Sequence, residues 1–163
     1  MKTRIEKAPT RTAKPIEVTI MVRKFKDVLA TEPSRGDRGT EYVMKLGRKD
    51  PRAVIKGDDI YVKRPGAMIR FTITSSAADK QRYYPIGIGF VREGDRNSSD
   101  EQRLGLLNFP QSLTRPDRRT IVIADTFRDE ARHVRYKFSV IIQRGSDGKI
   151  GIIDPGIVHD TSN

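Results

Sequence analysis

Cysteine is absent from the 163 residues, and this removes disulfides, thiolate metal sites and cysteine nucleophiles together. Histidine is nearly as scarce, with only His133 and His159. A blue-copper centre needs two imidazoles and a thiolate, so none can be built here. Two histidines this far apart also lack the spacing of zinc ligands. No apolar run approaches the roughly 20 residues that cross a bilayer as a helix. The opening Met1-Lys2-Thr3-Arg4-Ile5-Glu6-Lys7 is basic with no apolar block behind it, unlike a secretory signal, so a cytoplasmic setting is expected. Two short matches need secretion and lapse with it: the adhesion tripeptide Arg35-Gly36-Asp37 and the glycosylation acceptor Asn97-Ser98-Ser99.

Charge is abundant. Charged residues make up 33% of the chain and mean hydropathy is −0.59, yet the apolar residues gather in alternating blocks. That combination describes a folded domain with a polar surface. The formal net charge is +11, with the surplus mainly in the first 70 residues. A field of that sign favours polyanions or anionic surfaces and speaks to association rather than to fold. Residues 1–15 lack periodicity and read as a flexible basic arm. Residues 16–158 read as one β domain, and 159–163 as a C-terminal tail.

Arg135–Pro155 organises the rest. Tyr136, Phe138, Val140 and Ile142 alternate with polar residues, the period of a strand buried on one face. Gly145-Ser146-Asp147-Gly148 turns the chain into a second strand carrying Ile150, Ile152 and Ile153. Asp154-Pro155-Gly156 then predicts an exit from the sheet, because proline cannot donate to a ladder. Upstream, Ile16, Val18, Ile20 and Val22 define a strand, as do Ile69, Phe71 and Ile73. Tyr84, Ile86, Ile88 and Phe90 predict one buried strand face, and Gly87-Ile88-Gly89 inside it lacks the spacing and helix of a nucleotide loop. Tyr42 to Leu46, Val54-Ile55, Ile60 to Val62 and Ile121 to Ile123 add shorter strands. Phe25 to Ala30 predicts a helical turn, and Ser99 caps a short helix running to Leu107. The expectation is an all-β antiparallel sandwich of about eight strands with one or two short helices.

From Ile60 to about residue 158 the layout resembles the DP-EP family of small bacterial β-sandwich domains. The carrying segments are Pro65-Gly66 with Ile69 and Phe71, then Gly87-Ile88-Gly89-Phe90, and Val122-Ile123-Ala124-Asp125. Tyr136-Lys137-Phe138 and Ile152-Ile153-Asp154-Pro155-Gly156-Ile157 complete them, while the second acidic-proline element is missing. The resemblance implies a cupredoxin-like chain path, and an immunoglobulin-like path fits the strand pattern as well. It implies no catalytic residues and no cofactor.

The residues themselves offer no convergent chemistry. Asp58-Asp59 and Asp129-Glu130 lie in turns, Asp125 and Asp154 sit at strand ends as acceptors of turn amides, and no serine occupies a nucleophile elbow. A polyanion could be met by Lys45, Arg48, Lys49, Arg52 and Arg70, with Tyr61, Tyr83 and Tyr84 as stacking candidates. Arg70, Arg135 and Lys137 are expected to face solvent or a partner. The reading is therefore a non-enzymatic module that binds another protein or itself. Nucleic-acid binding through the basic N-terminal half is the alternative, and an enzyme with an unrecognised carboxylate site comes third.

Overall fold

A computed structural model describes residues 14–29, 39–63, 66–94, 99–126 and 133–160. The arm at 1–13, the Arg35-Gly36-Asp37 tripeptide, Pro65, Asn97, Asp129-Glu130 and residues 161–163 lie outside the described residues. Within them the chain forms eleven strands rather than about eight. These are β1 (Ile16–Lys24), β2 (Glu41–Leu46), β3 (Ala53–Lys56), β4 (Asp59–Val62), β5 (Ala67–Ser75) and β6 (Tyr83–Arg92). Then come β7 (Gln111–Arg115), β8 (Thr120–Asp125), β9 (His133–Arg144), β10 (Ile150–Ile153) and β11 (Gly156–Asp160). Helix is confined to α1 (Asp100–Arg103) and a 3-10 turn at Pro116–Arg118.

One sheet has the order β2-β1-β5-β8-β7. In the other, β9 pairs with β6 along one side and with β10 and then β11 along the other, followed by β4 and β3. The β class stands, but the pairing is mixed: β1 runs parallel to β5, and β11 parallel to β4. Such crossovers join strands far apart in sequence, and alternation alone carries no sign of direction.

The alternating faces of β1, β5, β8 and β9 turn inward as their periodicity dictates. Ile16, Ile20, Phe71, Ile121, Phe138 and Ile142 are all buried in one cluster drawn from both sheets. Phe71 meets Phe138 across the core with ring centroids 5.1 Å apart. Each such side chain contributes roughly 1.5–3 kcal/mol on leaving water.

Four local expectations change. In β6 the register shifts between Pro85 and Gly87, so Tyr83 and Pro85 are buried, Ile86 is exposed, and Ile88 and Phe90 pack against the core. A bulge inserts one unpaired residue and moves the following side chains to the other face. At Asp154-Pro155 the chain does not leave the sheet. β10 ends there and β11 begins on the same neighbour, β9, with the Pro155 carbonyl accepting from the Phe138 amide at 2.9 Å. Proline thus sits where no ladder donor is required. β11 also continues through His159 and Asp160, past the boundary expected at 158. Finally, residues 25–29 hold a turn and no helix, whereas Ser99 does cap α1. Ser99 and Gln102 form a reciprocal capping box, and the helix ends at Arg103, short of Leu107.

Candidate functional site

The polar groups that come closest to a catalytic constellation are sealed inside. Asp125 at the end of β8 and His159 on β11 are hydrogen-bonded at 2.8 Å, each with its side chain 0% exposed. Asn108 donates to the Tyr136 hydroxyl at 2.7 Å, and the rings of Phe109 and Tyr136 flank His159. The Asp125–His159 bond joins the two sheets across one end of the core. Sequence reading missed it, because His159 follows a proline-glycine turn near the end of the chain and looks like a tail residue. With both side chains wholly buried, the pair links the two sheets from within. His133 is exposed and lies beside Tyr61. No group of three or more metal-ligating side chains occurs among the described residues. Asp154 accepts from the Ser139 hydroxyl at 2.6 Å, a side-chain contact in place of the expected turn amide.

The basic residues line two separate cavities, although the strand registers carry Lys45, Arg70 and Arg115 on the same outer face of the five-stranded sheet. Lys45 and Lys49, together with Lys63, line a cavity of about 970 Å³ beside Ala53 and Val54. Arg48 is exposed in the turn between Lys45 and Lys49. Arg52 is engaged by Asp50, at 3.0 and 2.7 Å, and donates to the Lys14 carbonyl at 2.8 Å. Those bonds hold the Asp50 carboxyl below its usual range. Arg70 reaches Glu17 at 2.9 Å and lines a different cavity, on the outer face of the five-stranded sheet. Arg135 is not free for a partner: it bridges Asp59 at 2.8 Å and Glu93, while Lys137 lies 3.3 Å from Glu93. Arg135 in turn depresses the Glu93 carboxyl.

Two of the three stacking candidates are engaged as well. Tyr83 is buried, stacks on Phe25 at 5.4 Å and donates to Asp79; burial and that bond push its phenol up. Tyr84, which the sequence assigned to the core, is only half-buried, because the bulge gives the inward place to its neighbour. Tyr61 carries the Lys56 ammonium over its ring at 4.9 Å.

An open surface lies at β7, which the sequence did not reveal. Gln111–Arg115 lacks apolar alternation, and four of its five residues are exposed. β7 pairs with β8 on one side, and no strand among the described residues pairs with its other side. Two cavities flank it and share Pro110 and Ser112. One, of about 810 Å³, lies on the outer sheet face and is lined by Met68, Arg70, Leu113, Arg115, Arg118 and Val122, among others. The other, of about 360 Å³, is lined by Ile88, Phe90, Leu104, Leu106 and Phe109 and has no charged lining residue. Between Leu104 and Leu106 stands Gly105, whose φ of +68° would strain any side chain. A Cβ there would also stand 3.1 Å from Phe109 and 3.2 Å from Phe90, so the chain passes close enough to leave Leu104 and Leu106 facing out.

Compared with protein families, with characterised proteins and with solved structures, the chain matches none. No helix among the described residues is long and apolar enough to cross a membrane.

Proposed function

We propose that this chain is a non-enzymatic β module that binds another protein along the outer edge of β7. The observation that carries this reading is an exposed, unpaired strand edge bordered by exposed Leu104, Leu106, Leu107 and Leu113. A strand edge presents amides and carbonyls ready to pair with another chain, and natural proteins cover or charge such edges unless they use them. Kinship with the DP-EP domains belongs to the same reading, as does the cytoplasmic setting expected from an N-terminus unlike a secretory signal. Neither adds a functional residue.

A nucleic-acid reading draws support from the net charge of +11. Against it, basic groups line two separate cavities, at Lys45 and at Arg115, and of the three stacking candidates Tyr83 is buried and Tyr61 already carries Lys56. The enzyme reading loses its best constellation to complete burial.

A photo-reactive side chain placed at Leu113 should cross-link a protein in cells that make the chain, and one placed at Lys137 should not. Equal cross-linking at both positions overturns the proposal. Single-stranded oligonucleotides should bind weakly at low salt, with no change when Lys45, Arg48, Lys49 and Arg52 are replaced by Gln. Loss of both affinity and salt slope in that variant transfers the reading to nucleic acid, since each neutralised phosphate releases counterions.

A further inference from the structure

From the two unlike cavities on either side of β7 we infer the chemistry of the partner: an extended segment that alternates acidic with aliphatic residues and adds a strand to β7. This inference rests on the protein-binding reading above.

Strand addition fixes a period of two in whatever docks, because successive side chains of a strand point to opposite faces. The two faces offered here differ. On the outer face, Leu113 pairs across to Val122 and Arg115 to Thr120, so an added strand extends those same two rows. Arg115 and Arg118 make no ion pair among the described residues, and no acidic side chain lines that cavity. Arg70, its third guanidinium, is already shared with Glu17. Carboxylates at alternate positions of the incoming strand would meet the two uncommitted guanidiniums. On the other face, the incoming side chains would fall beside Ile88, Phe90, Leu104 and Leu106, where only apolar groups gain by leaving water. One segment satisfies both requirements by alternating. A second copy of this chain is disfavoured as occupant, because each copy carries +11 and would bring arginines against arginines.

The probe is a short capped peptide alternating glutamate with valine, titrated against the full chain by fluorescence anisotropy at neutral pH. It should bind saturably and slow amide exchange across Gln111–Arg115. The double variant Arg115→Glu/Arg118→Glu should weaken it by about tenfold or more and gain affinity for the corresponding lysine–valine peptide. That exchange of preference also shows that the variant is folded. A peptide of the same composition with its glutamates in one block should bind at least about tenfold more weakly; equal binding overturns the strand geometry. Self-association of the chain through β7 in sedimentation, or displacement of the peptide by an oligonucleotide that depends on the same arginines, overturns the choice of occupant. Cross-linking at Leu113 without peptide binding sinks this inference and leaves the protein-binding module standing. Absence of cross-linking there removes both.

Discussion

The Asp125–His159 bond sits where water cannot replace either partner, so its two ends are worth very different amounts singly and together. Asp125→Ala leaves an imidazole in a dry pocket and should cost about 3 kcal/mol in urea unfolding. Asp125→Leu combined with His159→Phe should regain part of that loss, because the packing is restored and the two polar partners are removed together. Equal losses for the single and double variants would mean that the bond does not tie the sheets. A second residue-level expectation concerns acid. Asp50, Glu93 and Asp147 are each held below the usual carboxylate range by an arginine, respectively Arg52, Arg135 and Arg144, with Asp147 lowered to about 2. Their folded pKa values are lower than their unfolded ones, so the stabilisation is complete at neutral pH and fades as these groups take up protons. The urea midpoint should therefore decline as pH falls below about 4.5, the ordinary value for Glu93. Glu93→Gln should flatten the upper part of that decline. A midpoint that stays level down to pH 3 in the parent chain would contradict it.

Among the elements, β9 and β7 stand at opposite extremes. β9 has neighbours on both sides along most of its length and buries every second residue, whereas β7 is short, exposed and paired once. Hydrogen exchange should be slowest at Phe138, Val140 and Ile142 and fastest, among the strands, at Ser112 and Leu113. The reverse order would mean that β7 is covered in the free chain. The same contrast explains what could be read from residues alone. β1, β5 and β9 declare themselves because one face is buried and the other solvated, which writes a period of two into the sequence. β6 breaks that period at Ile86, where one unpaired residue reverses the faces. β7 has no apolar period because its core-side positions, Ser112 and Thr114, are polar, and so the surface on which function is proposed left no apolar signal. The lysines and arginines of residues 45–70 were visible individually. The capture of Arg70 by Glu17 depends on the β1–β5 register, which composition does not encode, and that of Arg52 by Asp50 on a local turn two residues long.

At the scale of the whole molecule, the order in which the chain becomes available differs from the order in which the strands lie. β11 sits between β4 and β9, inside its sheet, and is the last strand among the described residues. Four of its five positions are buried, including Ile157 and Val158. A chain leaving the ribosome therefore offers β4 early and β9 much later, with the piece that joins them still to come. Until Gly156–Asp160 emerges, β4 and β9 each present a bare edge toward a gap one strand wide. Pairing at that sequence separation is slow, since the entropy of closing a long loop is lost before the contacts form. A chain stopped after Pro155 should accumulate as aggregate in translation, and a separate peptide spanning β11 supplied during synthesis should return part of it to the soluble fraction. Soluble, protease-resistant material from the shortened chain alone would show that the sheet can close without its centre.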